Sequence, residues 1–226
     1  MHPVGEAPIL DGLGDPAQRS VLDFGLLGQN CARDGIDPAS PEQRQRLNEE
    51  ILRARKVRYL IGRYGEDHGC VLDGSAFDAE ARTVHMGVDL FCAGLEPVFA
   101  PAAGRVVLAD REPGRRSFGN YVVVEHDGWY SFFGHLGPEK PTAADVRPGK
   151  RIGWVGDYAP RADGTRENGG WSPHLHYQVL LVDPRTLRGP DNVFRIGYST
   201  EADFERNKQL FPDPSPVIGF PCGMPR

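Results

Sequence analysis

The chain has 226 residues, which is the length of one large domain or of a core with an added arm. A hydrophobic content of 39% with 25% charged residues is typical of a globular protein and excludes a disordered chain. The net charge of −5 argues against a nucleic-acid partner, and the longest stretch free of Asp, Glu, Lys and Arg, residues 168–182, is too short and too polar to span a membrane.

The N-terminal residues contain no basic start followed by an apolar run. The sequence therefore predicts no secretory signal and a cytoplasmic protein. The four cysteines are widely spaced and include no Cys-x-x-Cys pair, which favours reduced thiols over a disulfide framework. The oligomeric state is unknown from the sequence.

Residues 1–69 are interpreted as an N-terminal arm with one amphipathic helix at about 41–61. Ser40 is suited to cap the helix, Pro41 to its first position, and Gln43 completes a capping box. An apolar stripe supports the helix, which Gly62 would end; it consists of Leu47, Ile51, Ala54, Val57 and Ile61. The same stretch is rich in basic residues, namely Arg44, Arg46, Arg53, Arg55, Lys56 and Arg58. We interpret them as a solvated face, with an anionic partner as the alternative.

Residues 70–185 have a different pattern, because short β-rich runs alternate with Gly, Pro and Asp. The runs lie at 106–109, 121–125, 130–133, 152–155 and 175–182. They predict a mainly β protein with an antiparallel sheet core. Residues 186–226 are interpreted as a C-terminal extension with a short helix after Thr200 and an extended, Pro-rich tail.

Two of the histidine spacings indicate metal chemistry. One is His85-x-x-x-Asp89, and the other is His174-x-His176 in a predicted strand. Alternate residues of a strand share a face, so His174 and His176 would project side by side. Two imidazoles and one carboxylate suit Zn²⁺, and three protein ligands leave a fourth position for water. Each spacing alone is weak, because the two stretches are about 90 residues apart.

Four motifs in a fixed order make the indication specific. They are HMGVDLFCAGLEPVFAPAAGRVVLAD, FGNYVVVEHDGWYSFFGHL, VRPGKRIGWVGD and SPHLHYQVLL. Over residues 83–182 this order resembles the lysostaphin-like (LytM-type) zinc metallopeptidases. The arm and the HMGVDLF motif resemble one version of that domain more than its other members. That version is found in large bacterial proteins, beside kinase-like and aminotransferase-like modules.

The resemblance implies a role for five residues and one zinc ion per chain. His85, Asp89 and His176 match the zinc ligands, and His135 and His174 match the two catalytic histidines beside the metal-bound water. The resemblance leaves open which of the two is the general base. His126 is expected to be structural, whereas His68 matches no family motif and is placed near the site only as a minor alternative.

Three functions are compatible with these residues. The first is a zinc-dependent hydrolase that cleaves a peptide or amide bond, with metal-activated water and two assisting histidines. The second is a zinc-dependent biosynthetic enzyme that cyclises or cleaves a small amide-bearing metabolite in the cytoplasm. The third is a non-enzymatic interaction module, which the complete set of five site residues disfavours.

Overall fold

A computed structural model of the chain describes residues 3–72, 75–112, 116–141, 144–157, 166–187, 194 and 196–225. Its α-helices are α1 (Phe24–Asp34), α2 (Pro41–Arg55), α3 (Gly69–Leu72), α4 (Ala76–Ala79), α5 (Phe204–Asn207) and α6 (Ser215–Ile218). Short 3₁₀ turns lie at Pro16–Gln18 and Pro184–Thr186.

The strands of the N-terminal half are β1 (Arg19–Val21), β2 (Tyr59–Gly62), β3 (Val84–His85), β4 (Val88–Phe91), β5 (Pro97–Phe99) and β6 (Gly104–Arg111). Those of the C-terminal half are β7 (Asn120–Glu125), β8 (Tyr130–Leu136), β9 (Asp145–Val146), β10 (Arg151–Trp154), β11 (His174–Leu180) and β12 (Tyr198–Ser199).

One eight-stranded sheet organises the molecule, in the order β1-β2-β4-β11-β8-β7-β6-β9. All its pairs are antiparallel except β1 with β2, so the predicted antiparallel β core is confirmed with one parallel pair at an edge. Two small antiparallel pairs, β5 with β10 and β3 with β12, lie outside this sheet. Strands β4, β11 and β8 occupy its middle, where they are buried along almost their whole length.

The helix of the arm begins where the sequence predicts and ends earlier. Ser40 Oγ accepts a hydrogen bond from the Gln43 N–H, and Pro41 is the first helical residue. The predicted end at residue 61 is wrong, because Lys56 adopts a left-handed conformation (φ 54°) that ends α2 after Arg55. Residues 59–62 instead form β2, which is buried and paired with β4. The apolar pattern in this stretch fits a helix as well as a strand, and the pairing selects the strand.

The arm is continuous with the β core. Strand β2 pairs with β4, and β1 pairs with β2, so two strands of the arm extend the main sheet. Helices α1 and α2 cover the same end of the sheet through an apolar cluster that includes Phe24, Leu27, Leu52 and Phe91. The division of the chain at residue 69 remains a prediction. The arm and the β core share one sheet.

The C-terminal extension carries two short helices, which confirms the predicted short helix after Thr200. The tail after Pro212 is not wholly extended, because Ser215–Ile218 forms a helical turn. All four cysteines are free thiols, as predicted. None of the helices in the described part of the chain combines the length and apolarity that crossing a bilayer requires.

Candidate metal centre and active site

Three ligand atoms from distant parts of the chain meet at one point. His176 Nδ1 lies 3.0 Å from Asp89 Oδ1, His85 Nε2 lies 3.3 Å from the same oxygen, and the two nitrogens are 3.2 Å apart. Metal–ligand bonds of 2.0–2.1 Å in a tetrahedron place neighbouring ligand atoms about 3.3 Å apart. The triangle therefore has the size that a tetrahedral zinc ion requires, and His85, Asp89 and His176 fit the ion as a donor set.

Strand register produces this meeting. Asp89 of β4 is paired directly with His176 of β11, so their side chains leave the sheet next to each other. His85 ends β3 and reaches them across the short connection through Gly87. A Cβ atom on Gly87 would lie 2.7 Å from the Tyr177 carbonyl oxygen and 2.8 Å from His176 Cε1, so only glycine fits here.

The other ring nitrogen of each ligand histidine is also held. His85 Nδ1 lies 3.1 Å from the Arg63 carbonyl oxygen, which makes Nδ1 the donor and leaves the Nε2 lone pair for a metal. His176 Nε2 lies 3.1 Å from Gln178 Oε1, which leaves Nδ1 for a metal in the same way. Outer partners of this kind fix the tautomer and ring orientation of metal-binding histidines.

His135 and His174 lie beside the triangle with their rings 4.3 Å apart. His174 Nδ1 donates to the Ser172 carbonyl oxygen (2.7 Å) and His135 Nδ1 to the Asn168 carbonyl oxygen (2.9 Å). Each ring therefore keeps its Nε2 lone pair, and His174 Nε2 lies 3.7 Å from Asp89 Oδ1. All five predicted site residues are brought together and are buried.

The backbone at His135 is strained. Its φ of 60° lies in the left-handed region, which residues other than glycine rarely adopt and which costs on the order of 1 kcal/mol or more. Its N–H donates to the Phe118 carbonyl oxygen at 2.8 Å, and its carbonyl oxygen accepts from Gly156 at 2.8 Å. These bonds hold the strained conformation, which turns the ring towards His174.

Burial and neighbouring charge set the protonation of the site. Burial would raise the pKa of Asp89, but the charges of His85 and His174 and hydrogen bonds from His176 and His85 hold that pKa well below its ordinary value. Burial, reinforced by His174 and His176, holds the pKa of His135 well below its ordinary value. Burial also lowers the pKa of His174. These shifts favour an ionised Asp89 carboxylate beside neutral rings of His135 and His174.

His68 lies in the cluster, which is the alternative that the sequence left open for it. Its ring is fully buried and is stacked between Phe24 and His85, with centroid separations of 3.7 and 4.4 Å. Its Nδ1 lies 3.7 Å from Asp89 Oδ2, and the ligand atoms of His68, His85 and Asp89 lie within 4.8 Å of one another. These separations are wider than those of the His176 triangle, so His68 lies behind Asp89 as an outer neighbour. Its only sequence signal was an unaligned histidine in a Gly- and acid-rich turn.

His126 lies away from the centre, as expected for a structural histidine. Its ring nitrogens contact the Ala103 carbonyl oxygen at 2.8 Å and Ser131 Oγ at 2.9 Å, and its ring stacks on Trp129. These contacts satisfy both nitrogens within the fold.

A cavity of about 40 Å³ opens onto the metal centre. Four of the five site residues line it, and the arm supplies one wall. The lining from the arm includes Phe24, Pro38, Ala39, Pro41 and Arg44, and the lining from the β core includes Arg116 and Trp171. The volume is enough for a few water molecules or a group the size of a carboxylate.

Residues 83–186 match the model of peptidase family M23. Among solved structures, a zinc-containing peptidase from Vibrio cholerae is similar at 25% identity over 43% of this chain and 27% of its own, with a TM-score of 0.34. The catalytic domain of lysostaphin from Staphylococcus simulans is similar at 22% identity over 75% of this chain and 96% of its own, with a TM-score of 0.43. No curated protein sequence matches the chain. The chain spans about a quarter of the length of the Vibrio protein.

Proposed function

We propose that the chain is a zinc-dependent hydrolase of peptide or amide bonds, of the LytM and lysostaphin type, because residues 83–186 match the model of peptidase family M23. One Zn²⁺ per chain is held by His85, Asp89 and His176. The observation that carries this proposal is the triangle of ligand atoms with sides of 3.0, 3.2 and 3.3 Å. Two imidazoles and one carboxylate leave a fourth position open, as in catalytic rather than structural zinc sites.

The reaction adds water to the carbonyl carbon of an amide and breaks its C–N bond, which yields a carboxylic acid and an amine. Zinc in such a site lowers the pKa of water and polarises the carbonyl under attack. The two flanking histidines, His135 and His174, supply the proton transfers and hydrogen bonds of the reaction. Their neutral state at physiological pH is the state that can accept a proton.

The hydrogen bonds from His135 and His174 to backbone carbonyl oxygens determine which nitrogen of each ring can exchange a proton. Nδ1 of each ring is occupied by a carbonyl oxygen, so proton exchange with the substrate takes place at Nε2. One Nε2 takes the proton of the attacking water and later passes it to the departing amine. The other, when protonated, donates a hydrogen bond to the oxygen on which negative charge develops. Either histidine is placed to serve either role.

The cavity volume favours a small substrate as a second candidate. A space of about 40 Å³, with one wall formed by the arm, is compatible with a small amide-bearing metabolite. In this version the same residues cleave or cyclise the small molecule within a biosynthetic pathway in the cytoplasm. Peptidoglycan, glycine-rich peptides and small acyl amides, assayed side by side with the zinc-loaded protein, distinguish the two candidates.

Two variants test the assignment of the residues. His176→Ala removes one ligand, so zinc content measured after dialysis should fall from one ion per chain to near zero. His135→Asn keeps the ligands and suits the left-handed backbone at that position, so the variant should bind zinc normally and lose at least a hundredfold in turnover. Full turnover of His135→Asn, or normal zinc content in His176→Ala, would overturn the assigned roles.

A further inference from the structure

Arg44 of α2 is a buried cation at the edge of the metal centre. Only 5% of its surface is exposed, whereas its basic neighbours Arg46 and Arg53 on the same helix are exposed. The interpretation of the basic residues as a solvated face is therefore wrong for Arg44. The guanidinium carbon lies 4.8 Å from the ring centroid of Phe24 and 5.2 Å from that of Phe91, so the group packs against two neighbouring aromatic rings whose centroids are 6.2 Å apart.

The orientation of the Arg44 guanidinium is fixed at its inner nitrogen. Nε donates to Asn48 Oδ1 at 3.0 Å, and Asn48 Nδ2 donates in turn to Ser172 Oγ at 2.8 Å. Ser172 also provides the carbonyl oxygen that orients His174. This chain of bonds connects the guanidinium to the start of β11, which carries His174.

The outer two nitrogens of Arg44 are buried and have no hydrogen-bond partner among the residues that the structure describes. Burial lowers the pKa of Arg44 to about 10, so the group stays charged at neutral pH. An unpaired buried cation destabilises a fold by several kcal/mol in general, and proteins rarely keep one without a ligand to match it. The two free N–H edges form the planar fork that binds a carboxylate through two parallel hydrogen bonds.

Arg44 lines the same cavity as the metal centre. Arg44, Asp89, His135, His174 and His176 all line that cavity. Phe91 lies between the guanidinium and the site, with its ring 4.7 Å from that of His174. A second guanidinium, that of Arg116, also lines the cavity and adds positive charge there.

We propose that Arg44 is a specificity residue that binds a carboxylate of the substrate, so that the enzyme acts on an amide bond with a carboxylate close to it. The carboxylate is either the free C-terminus of a short peptide or an acidic side chain beside the cleaved bond. A cavity that admits a carboxylate-sized group agrees with a small acidic substrate. The preference in hydrolysis rests on the proposed hydrolase function. The binding of a carboxylate to Arg44 is testable without zinc.

The binding test uses metal-free, full-length protein at mildly alkaline pH, where neither the zinc nor a protonated histidine attracts an anion. Propionate and propionamide have nearly the same shape and differ in charge. The melting temperature of the wild type should rise with propionate and not with propionamide, at matched ionic strength. Arg44→Met should abolish the difference, and the matched variant Arg46→Met, on the exposed face, should keep it. An equal response to both compounds in the wild type, or an undiminished propionate response in Arg44→Met, would overturn the proposal.

The catalytic test compares three forms of an acyl dipeptide with zinc-loaded protein: the free acid, the C-terminal amide, and the amide with an aspartate beside the cleaved bond. The free acid should exceed the plain amide about tenfold or more in kcat/KM, and Arg44→Met should reduce that ratio to near one. A high rate on the aspartate form would assign the fork to a side-chain carboxylate instead.

Failures of the two proposals are distinguishable. If no form is hydrolysed while propionate still binds, the hydrolase function fails and the carboxylate site stands. If all forms are hydrolysed equally by the wild type and by Arg44→Met, the carboxylate site fails and the hydrolase stands. Arg44→Lys, which keeps the charge and removes the fork, provides the same comparison should Arg44→Met not fold.

Discussion

Asp89 and His176 are paired directly across β4 and β11, and each has a glycine as its next neighbour in the sheet. Gly62 of β2 is paired with Asp89, and Gly134 of β8 is paired with His176. The row Gly62–Asp89–His176–Gly134 therefore places two ligands in the centre with no side chain crowding them from either side. The register of the central strands therefore sets the spacing of Asp89 and His176, two of the three proposed metal ligands.

Gly87→Ala should damage the metal centre without removing a ligand. The new Cβ would press against the Tyr177 carbonyl oxygen and the His176 ring, so His176 must move away from Asp89. We expect zinc affinity to fall by at least tenfold, measured by competition with a chelating dye. Gly14→Ala is the matched control, since a Cβ there contacts nothing within 4 Å, and it should bind zinc as the wild type does. Equal affinities of the two variants would contradict the packing argument.

Gln178 should control how tightly His176 holds the metal. Its Oε1 accepts from His176 Nε2 at 3.1 Å, and its own Nε2 donates to the Ile196 carbonyl oxygen at 3.0 Å. Gln178→Leu removes the acceptor, so zinc affinity should drop about 10- to 100-fold. Gln178→Glu retains an acceptor and should lose much less in the same dye competition. A larger loss in Gln178→Glu than in Gln178→Leu would show that the acceptor is not what matters.

Removal of the metal should destabilise the fold. A ligand that binds only the folded chain stabilises it by about 2.7 kcal/mol at a hundred times its Kd. The melting temperature should therefore fall by several degrees on chelation and recover when Zn²⁺ is added back. His176→Ala should show no recovery, which separates binding at this centre from binding elsewhere. A melting temperature that does not respond to zinc in the wild type would contradict the proposed centre.

Stability should fall in mild acid partly because of His126. Burial lowers the pKa of His126 below its ordinary value, which is about 6.5 in an unfolded chain. Unfolding therefore takes up a proton below that pH, so the contribution of His126 is complete above pH ~6.5 and is lost as the pH falls towards the lower folded pKa. Protonation would also place a second donor against Ser131 Oγ, which lies 2.9 Å from both His126 Nε2 and the Tyr177 hydroxyl.

The free energy of unfolding, measured by urea titration of chelated protein at several pH values, checks the effect of His126. The slope against pH below ~6.5 should be shallower in His126→Gln than in the wild type. The comparison uses slopes, so a general loss of stability in the variant does not obscure it. Identical slopes would mean that His126 does not contribute to the acid sensitivity.

The sequence was sufficient to predict the β core and those parts of the histidine cluster that depend on the spacing of residues along one strand. His174 and His176 alternate along a strand, so their common face follows from the geometry of any strand. The approach of His85 and Asp89 to that face is a non-local pairing, and the ordered motifs indicated it where spacing alone did not.

The parts that the sequence did not predict also depend on non-local contacts. Ile61 fits an apolar helical stripe as well as a buried strand, and its pairing with β4 decides between the two. His68 and Arg44 lie in the arm, and their burial depends on where α1 and α2 cover the sheet. The sequence shows that both residues are ionisable. It does not show that His68 lies behind Asp89 or that Arg44 lines the cavity with the catalytic histidines.

The pairing of β2 with β4 has a consequence for the first 62 residues. A propeptide that inhibits a protease is cut away and leaves an intact enzyme, but here the excised piece would include the strand beside the one that carries Asp89. Its loss would expose the unpaired edge of β4 in the middle of an apolar face, which is a template for aggregation. Limited proteolysis within the arm is therefore expected to inactivate and precipitate the protein rather than to activate it.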